Sequence, residues 1–175
     1  MFGLVFTLLL ASQPCLITAE ETARQLALDW EAFDQGPKGF RAFVSEQRYC
    51  PRETGELIES YLDAHPGLTV QQRYVSEFHA GQQFAGANDT SRALAHFYRG
   101  FNPHEDPAGR GKWNAYVRAT IAFLEKDRET LEASYRVLDR QRDNPMNAIN
   151  LRLVEGFRRA FDGTYGEAVA SAFEE

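Results

Sequence analysis

From Glu20 onward, apolar residues recur at three- and four-residue steps, the period of a helix with one buried face. Ala23, Leu26, Trp30 and Phe33 make the first stripe, which Gly36, Pro37 and Gly39 break. A short run through Phe40, Phe43 and Val44 ends near Tyr49. Pro51 then stands where a first helical residue can be proline, since the N–H it lacks would be unpaired there anyway. Leu57, Ile58, Tyr61 and Leu62 form the next stripe, stopped by His65-Pro66-Gly67. Thr69 and Gln72 have capping-box spacing, in which each side chain satisfies the other's free backbone N–H. They open a helix carrying Tyr74, Val75, Phe78, Gly81 and Ala85. Residues 86–88 make a turn, and Asp89 suits the N-cap of a helix with Ala93, Leu94, Phe97, Tyr98 and Phe101. Residues 102–112, rich in Pro and Gly, form the longest loop. Beyond it come Trp113, Tyr116, Val117, Thr120, Ile121 and Leu124, then Asp127 as a cap ahead of Leu131, Tyr135 and Leu138. Asn144-Pro145 reads as an N-cap and first-turn proline before Val154, Phe157 and Phe161. After a turn at Asp162-Gly163, Thr164 and Glu167 repeat the capping-box spacing ahead of Tyr165, Ala168, Val169 and Ala172. No segment sustains apolar–polar alternation and β-branched residues are sparse, so the pattern predicts an all-α chain.

Helices of similar length joined by short turns invite a search for repeats. Gly81, Phe84, Asn88, Ala93 and Phe97 make one unit: a small residue, an aromatic three later, a turn, then a small residue and an aromatic in the second helix. Thr120, Phe123 and Asp127 match the first half of a second unit, and Gly156, Gly163, Tyr165 and Ala168 match a third. This pattern resembles the tetratricopeptide repeat. Small residues let two helices approach where they cross, and large ones fill the groove beside them. Gly81 and Thr120 are 39 residues apart and Thr120 and Gly156 are 36 apart, against about 34 in the regular repeat. The 102–112 loop can absorb the first excess. Glu132 and Arg136 stand where a small residue and an aromatic belong, so the middle unit departs from the pattern. The resemblance implies stacked antiparallel hairpins in a right-handed solenoid, about three of them over residues 67–175, with residues 20–66 as capping helices of a single domain at 20–175. An irregular helical bundle explains the same stripes.

The N-terminus changes the picture. No charged side chain occurs from Met1 to Ala19, and residues 2–11 are nearly all apolar. A run of about ten is too short to span a bilayer, which takes roughly twenty residues, and matches the apolar core of a secretory signal peptide. No Lys or Arg precedes the run, and Ile17 stands where a small residue is preferred for cleavage after Ala19. Residues 1–19 are read as a leader, the chain as exported to a periplasm or secreted. Ser12, Gln13 and Pro14 precede Cys15, which excludes a lipoprotein signal. Cleavage after Ala19 leaves Cys50 alone. If the segment is retained, a Cys15–Cys50 bridge becomes possible, though nothing in the sequence favours it.

A net charge of −6 argues against a nucleic-acid partner, which favours a basic surface. With 43% hydrophobic and 25% charged residues, composition is that of an ordinary globular chain rather than a disordered one. Catalytic and metal signatures are weak. Glu77 and His79, two apart on a helix, point to different sides; His96 has no partner at ligand spacing; His104-Glu105-Asp106 reads as a solvated turn. Cys50 before Pro51 could feel a helix dipole, but reads more simply as a half-buried capping residue. The flexible basic stretch at residues 109–112 lacks the strand and helix of a P-loop, and Asn88-Asp89-Thr90 has the form of a glycosylation acceptor. No metal or cofactor is expected, and no catalysis. In tetratricopeptide arrays the first helices line a groove that receives a peptide. That register turns Gln82, Asn114, Arg118 and Asn150 toward it, amides for a peptide backbone and Arg118 for a carboxylate. The family's carboxylate-gripping set of basic residues is not reproduced. Two other readings are a bundle that binds a small ligand or acts as an enzyme between helices near Phe78, His79, Gln82, Trp113 and Arg118, and a self-associating structural subunit.

Overall fold

The computed structural model describes residues 15–45 and 47–174; the apolar run at residues 2–11 lies outside the described residues. The chain is all-α, built from packed neighbouring helices. Helix α1 (Ala19–Leu26) begins at Thr18, whose hydroxyl accepts from the Glu21 N–H while the Glu21 carboxylate accepts from the Thr18 N–H, a full capping box. The predicted stripe from Ala23 to Phe33 is not one helix. Asp29 Oδ1 accepts from the Ala32 N–H and so starts a new turn, which runs as a π-helix over Glu31–Gln35. The run toward Tyr49 likewise differs from its helical expectation: a 3-10 turn (Phe40–Phe43) leads into a two-residue antiparallel ladder of β1 (Val44–Ser45) and β2 (Arg48–Tyr49), with Val44 opposite Tyr49. Phe33, Phe40 and Phe43 are all buried.

Helix α2 (Pro51–Ala64) has its proline in the first turn, as expected. Cys50, at its N-cap, is bonded to Cys15, so the bridge that the sequence left unfavoured is formed. Reducing this disulfide, which closes a 35-residue separation, is expected to lower stability by about 2–4 kcal/mol. Paired thermal melts with and without reductant measure the loss, and identical melts would show that the bridge contributes nothing to stability.

Three hairpins follow: α3 (Val70–Gly86) with α4 (Thr90–Arg99), α5 (Trp113–Leu124) with α6 (Arg128–Asp139), and α7 (Pro145–Arg159) with α8 (Tyr165–Ser171). Each helix packs on its hairpin partner, α2 packs on α3, and α5 packs on α7. The first two hairpins turn in the same way. Asn88 and Lys126 are left-handed (φ 58° and 59°), and the next residue, Asp89 or Asp127, caps the following helix through the N–H of Arg92 or Thr130. Capping boxes at Thr69–Gln72 and Thr164–Glu167 form as their spacing predicts. The small residues of the repeat pattern sit under large ones: a Cβ on Gly81 would come within 2.7 Å of the Phe97 ring, and one on Gly156 within 2.3 Å of the Ala168 carbonyl oxygen. Among the described residues no helix is long and apolar enough to cross a membrane.

Candidate functional site: a roofed cleft between first helices

The 102–112 loop is held from both sides. Asn114, in the first turn of α5, accepts from the Asn102 N–H (2.7 Å) through Oδ1 and donates through Nδ2 to the Asn102 carbonyl (2.9 Å). Its own backbone N–H donates to Glu105 Oε2 (2.7 Å), so Glu105 takes up a donor that the helix start leaves free. From α7, the buried Asn147 accepts from the Lys112 N–H (3.0 Å) and donates to the carbonyls of Arg110 (2.8 Å) and Gln141 (3.1 Å). Arg110 adds an ion pair with Asp143. A segment this long without helix or strand is more often functional than not when it is ordered.

Beneath the loop lies a partly open cavity of about 620 Å³. Gln71, Tyr74 and Val75 of α3, Trp113 of α5, and Asn147 and Asn150 of α7 form its walls, and residues 102–112 its roof. Two aromatic walls meet there: the Tyr74 and Trp113 rings are 5.5 Å apart at 48°, and the Trp113 indole N–H is spent on the Gly100 carbonyl (2.8 Å), which fixes the ring. Burial, and then the nearby Glu105 carboxylate, push the Tyr74 phenol above its ordinary value. The lining therefore offers two rings, amides, the carboxylates of Glu105 and Asp106, the His104 imidazole and the Lys112 ammonium. Hydrogen bonding and stacking are what such a surface can do.

The four sequence-derived groove residues are not gathered in one place. Asn150 lines this cavity. Asn114 backs it, its amide committed to the loop. Gln82, half-buried, lines a second hollow of about 400 Å³ with Tyr49, Leu153 and Tyr165, and its Nε2 donates to the Tyr116 hydroxyl (3.3 Å). The cause is α8, which returns to touch α3 and brings the buried Tyr165 against that end of the groove. Arg118 is exposed on another side of α5, its guanidinium 5.9 Å from the Phe101 ring centroid. Residues 116 and 118 lie about 200° apart around a helix, so Arg118 points away from the Tyr116 that Gln82 meets. Nor do the bundle candidates form a pocket together: Phe78 is buried among Phe97, Trp113 and Tyr116. The wall residues Gln71, Tyr74 and Asn147 went unread because their role depends on a loop folding back, and the sequence carries no local signal of that.

The histidines have separate partners. His79 Nδ1 lies 2.8 Å from Oδ1 of Asp34, a fully buried carboxylate on the π-helix, whereas His96 is buried on α4 between Glu77 and Glu59. Among the described residues, no three potential ligands group to hold a metal. No family model, no curated protein and no solved structure matches the chain.

Proposed function

We propose that this chain is an exported binding module of tetratricopeptide-like hairpins that performs no chemistry and takes an extended segment of a protein partner in the cleft beneath the 102–112 loop. The observation that carries the reading is the make-up of that cleft. Its walls come from α3, α5 and α7, the first helix of each hairpin, and they present amides beside two aromatic rings, that of Trp113 fixed by its indole N–H. The repeated left-handed turn at Asn88 and Lys126 and the packed glycines Gly81 and Gly156 support stacked hairpins over an irregular bundle. A disulfide between Cys15 and Cys50 is compatible with an oxidising compartment. The binding site in this reading is centred on Tyr74, Trp113 and Asn150 rather than on Gln82 and Arg118.

Peptides selected from a random display library and titrated into isotope-labelled protein are expected to shift resonances of Tyr74, Trp113 and Asn150. A Tyr74→Ala, Asn150→Ala variant should bind the same peptides at least about tenfold more weakly, an aromatic anchor in a pocket being the usual hot spot, with its far-ultraviolet spectrum unchanged. Shifts confined to other surfaces, or undiminished binding by the variant, would sink this site.

The volume also favours a second reading. About 620 Å³ lies within the range of small-molecule pockets, so a compact ligand with a flat, polar-edged ring is the alternative occupant. A metabolite mixture that raises the melting temperature of the wild type and not of the Tyr74→Ala, Asn150→Ala variant would favour it.

A further inference from the structure

The residues just ahead of α1 are built into the molecule. Cys15 is bonded to Cys50, with the two Cα atoms 5.5 Å apart, which ties it to the start of α2. Arg48 on β2 donates to the Leu16 carbonyl and, at 2.7 and 3.2 Å, to both carboxylate oxygens of Glu21. Ile17 packs against the core, and Thr18 supplies the N-cap of α1. The same Glu21 is pulled down to about 2, first by the hydrogen bond from Arg48 and then by that from the Thr18 N–H. A cut after Ala19 would remove one half of the disulfide, the cap of α1, an acceptor of Arg48 and a packed isoleucine. The 2–11 apolar run ends at Ala11, four residues ahead of Cys15, so a leader can be removed without touching any of these contacts.

We infer that the exported chain is processed on the amino-terminal side of Cys15 and that the mature protein keeps residues 15–19 with the Cys15–Cys50 bridge. Water hydrolyses the peptide bond, giving a new carboxylate on the leader and a new amine on the mature chain. The two thiols each lose a proton and together pass two electrons to a disulfide-bearing oxidoreductase, which is reduced to its dithiol. The inference rests on the export reading given above, and it moves the processing site away from Ala19.

The test expresses the full chain in an exporting host and reads the N-terminus and intact mass of the product without reductant. The expected product lacks the 2–11 apolar run, still contains Cys15, has a mass two hydrogens short of the reduced chain, and leaves Cys50 unlabelled by maleimide. A Cys15→Ser variant should start at the same residue and label fully. An Ala19→Tyr variant should be cut like the wild type. An exported product beginning at Glu20 with a reactive Cys50 would overturn the processing site and leave export standing. An uncut chain with free thiols inside the cell would overturn both.

Discussion

Phe97→Ala is expected to remove about 3–5 kcal/mol of stability, the range for deleting a fully enclosed aromatic ring. Phe97 is 0% exposed and lies over Gly81, with the Phe78 ring centroid 5.0 Å away. It therefore fills the crossing of α3 and α4 and touches the aromatic layer that continues through Trp113 to the cleft. At about 2–4 °C per kcal/mol for a chain of this size, the melting temperature should fall by roughly 6–20 °C. Calorimetry or helix-signal melting measures it. The partner change separates contact from general damage. Gly81→Ala forces a methyl to 2.7 Å from the same ring, and overpacking of this kind costs about 1–3 kcal/mol. Combining it with Phe97→Leu makes room, so the double variant should be more stable than the sum of the single effects predicts. Strict additivity would mean that α3 and α4 do not meet through this pair.

That pair shows what was legible in the sequence. A glycine and an aromatic sixteen positions apart, with a turn between them, encode a helical crossing locally. The caps at Thr69, Asp89, Asp127 and Thr164 were legible for the same reason, each depending on residues two or three positions away. The capping box of Thr18 and Glu21 has identical spacing, but Thr18 falls within the stretch that the apolar run marks as a leader. Asp29, a cap inside an apparently continuous stripe, split the first helix for a reason that periodicity does not weigh. The cleft was out of reach because its determinants are remote. Asn147 holds Lys112 from 35 positions away, and Gln82 meets Tyr116 at a separation of 34. Hairpin order in the chain predicts neighbours within each pair; whether α8 turns back onto α3 depends on curvature accumulated over all of them.

His96→Ala is expected to cost about 1–3 kcal/mol at neutral pH, the range for leaving a buried hydrogen-bonding group short of a partner. His96 Nδ1 is 2.7 Å from Glu77 Oε2 and Nε2 is 2.9 Å from Glu59 Oε1, and the ring stacks on Phe84 at 5.3 Å. Without it, Glu77, whose side chain is only 11% exposed, keeps Arg99 alone. The pH dependence identifies the mechanism. Burial works to raise the Glu77 carboxyl, but the hydrogen bonds from His96 and Arg99 outweigh it and hold the group below its ordinary value of 4.5. A carboxyl depressed in the folded state takes up its proton first in the unfolded one, so its contribution is complete above about 4.5 and fades as the pH falls further. Removing His96 deletes one of the two lowering bonds and leaves burial in place, so Glu77 rises toward its unfolded value, the acid limb below about 4.5 becomes shallower than in the wild type, and the cost of the substitution shrinks as the pH falls. Glu21, held at about 2 by Arg48 far from this cluster, supplies the same acid slope to both proteins and cancels in the comparison. Urea titrations between pH 3 and 7 read the difference directly; parallel pH profiles would refute a shared ionic origin and leave only the cavity under Phe84. Adding Glu77→Gln to His96→Ala removes the stranded charge, and it should restore part of the lost stability while flattening the acid limb, a combination that loss of packing alone cannot produce.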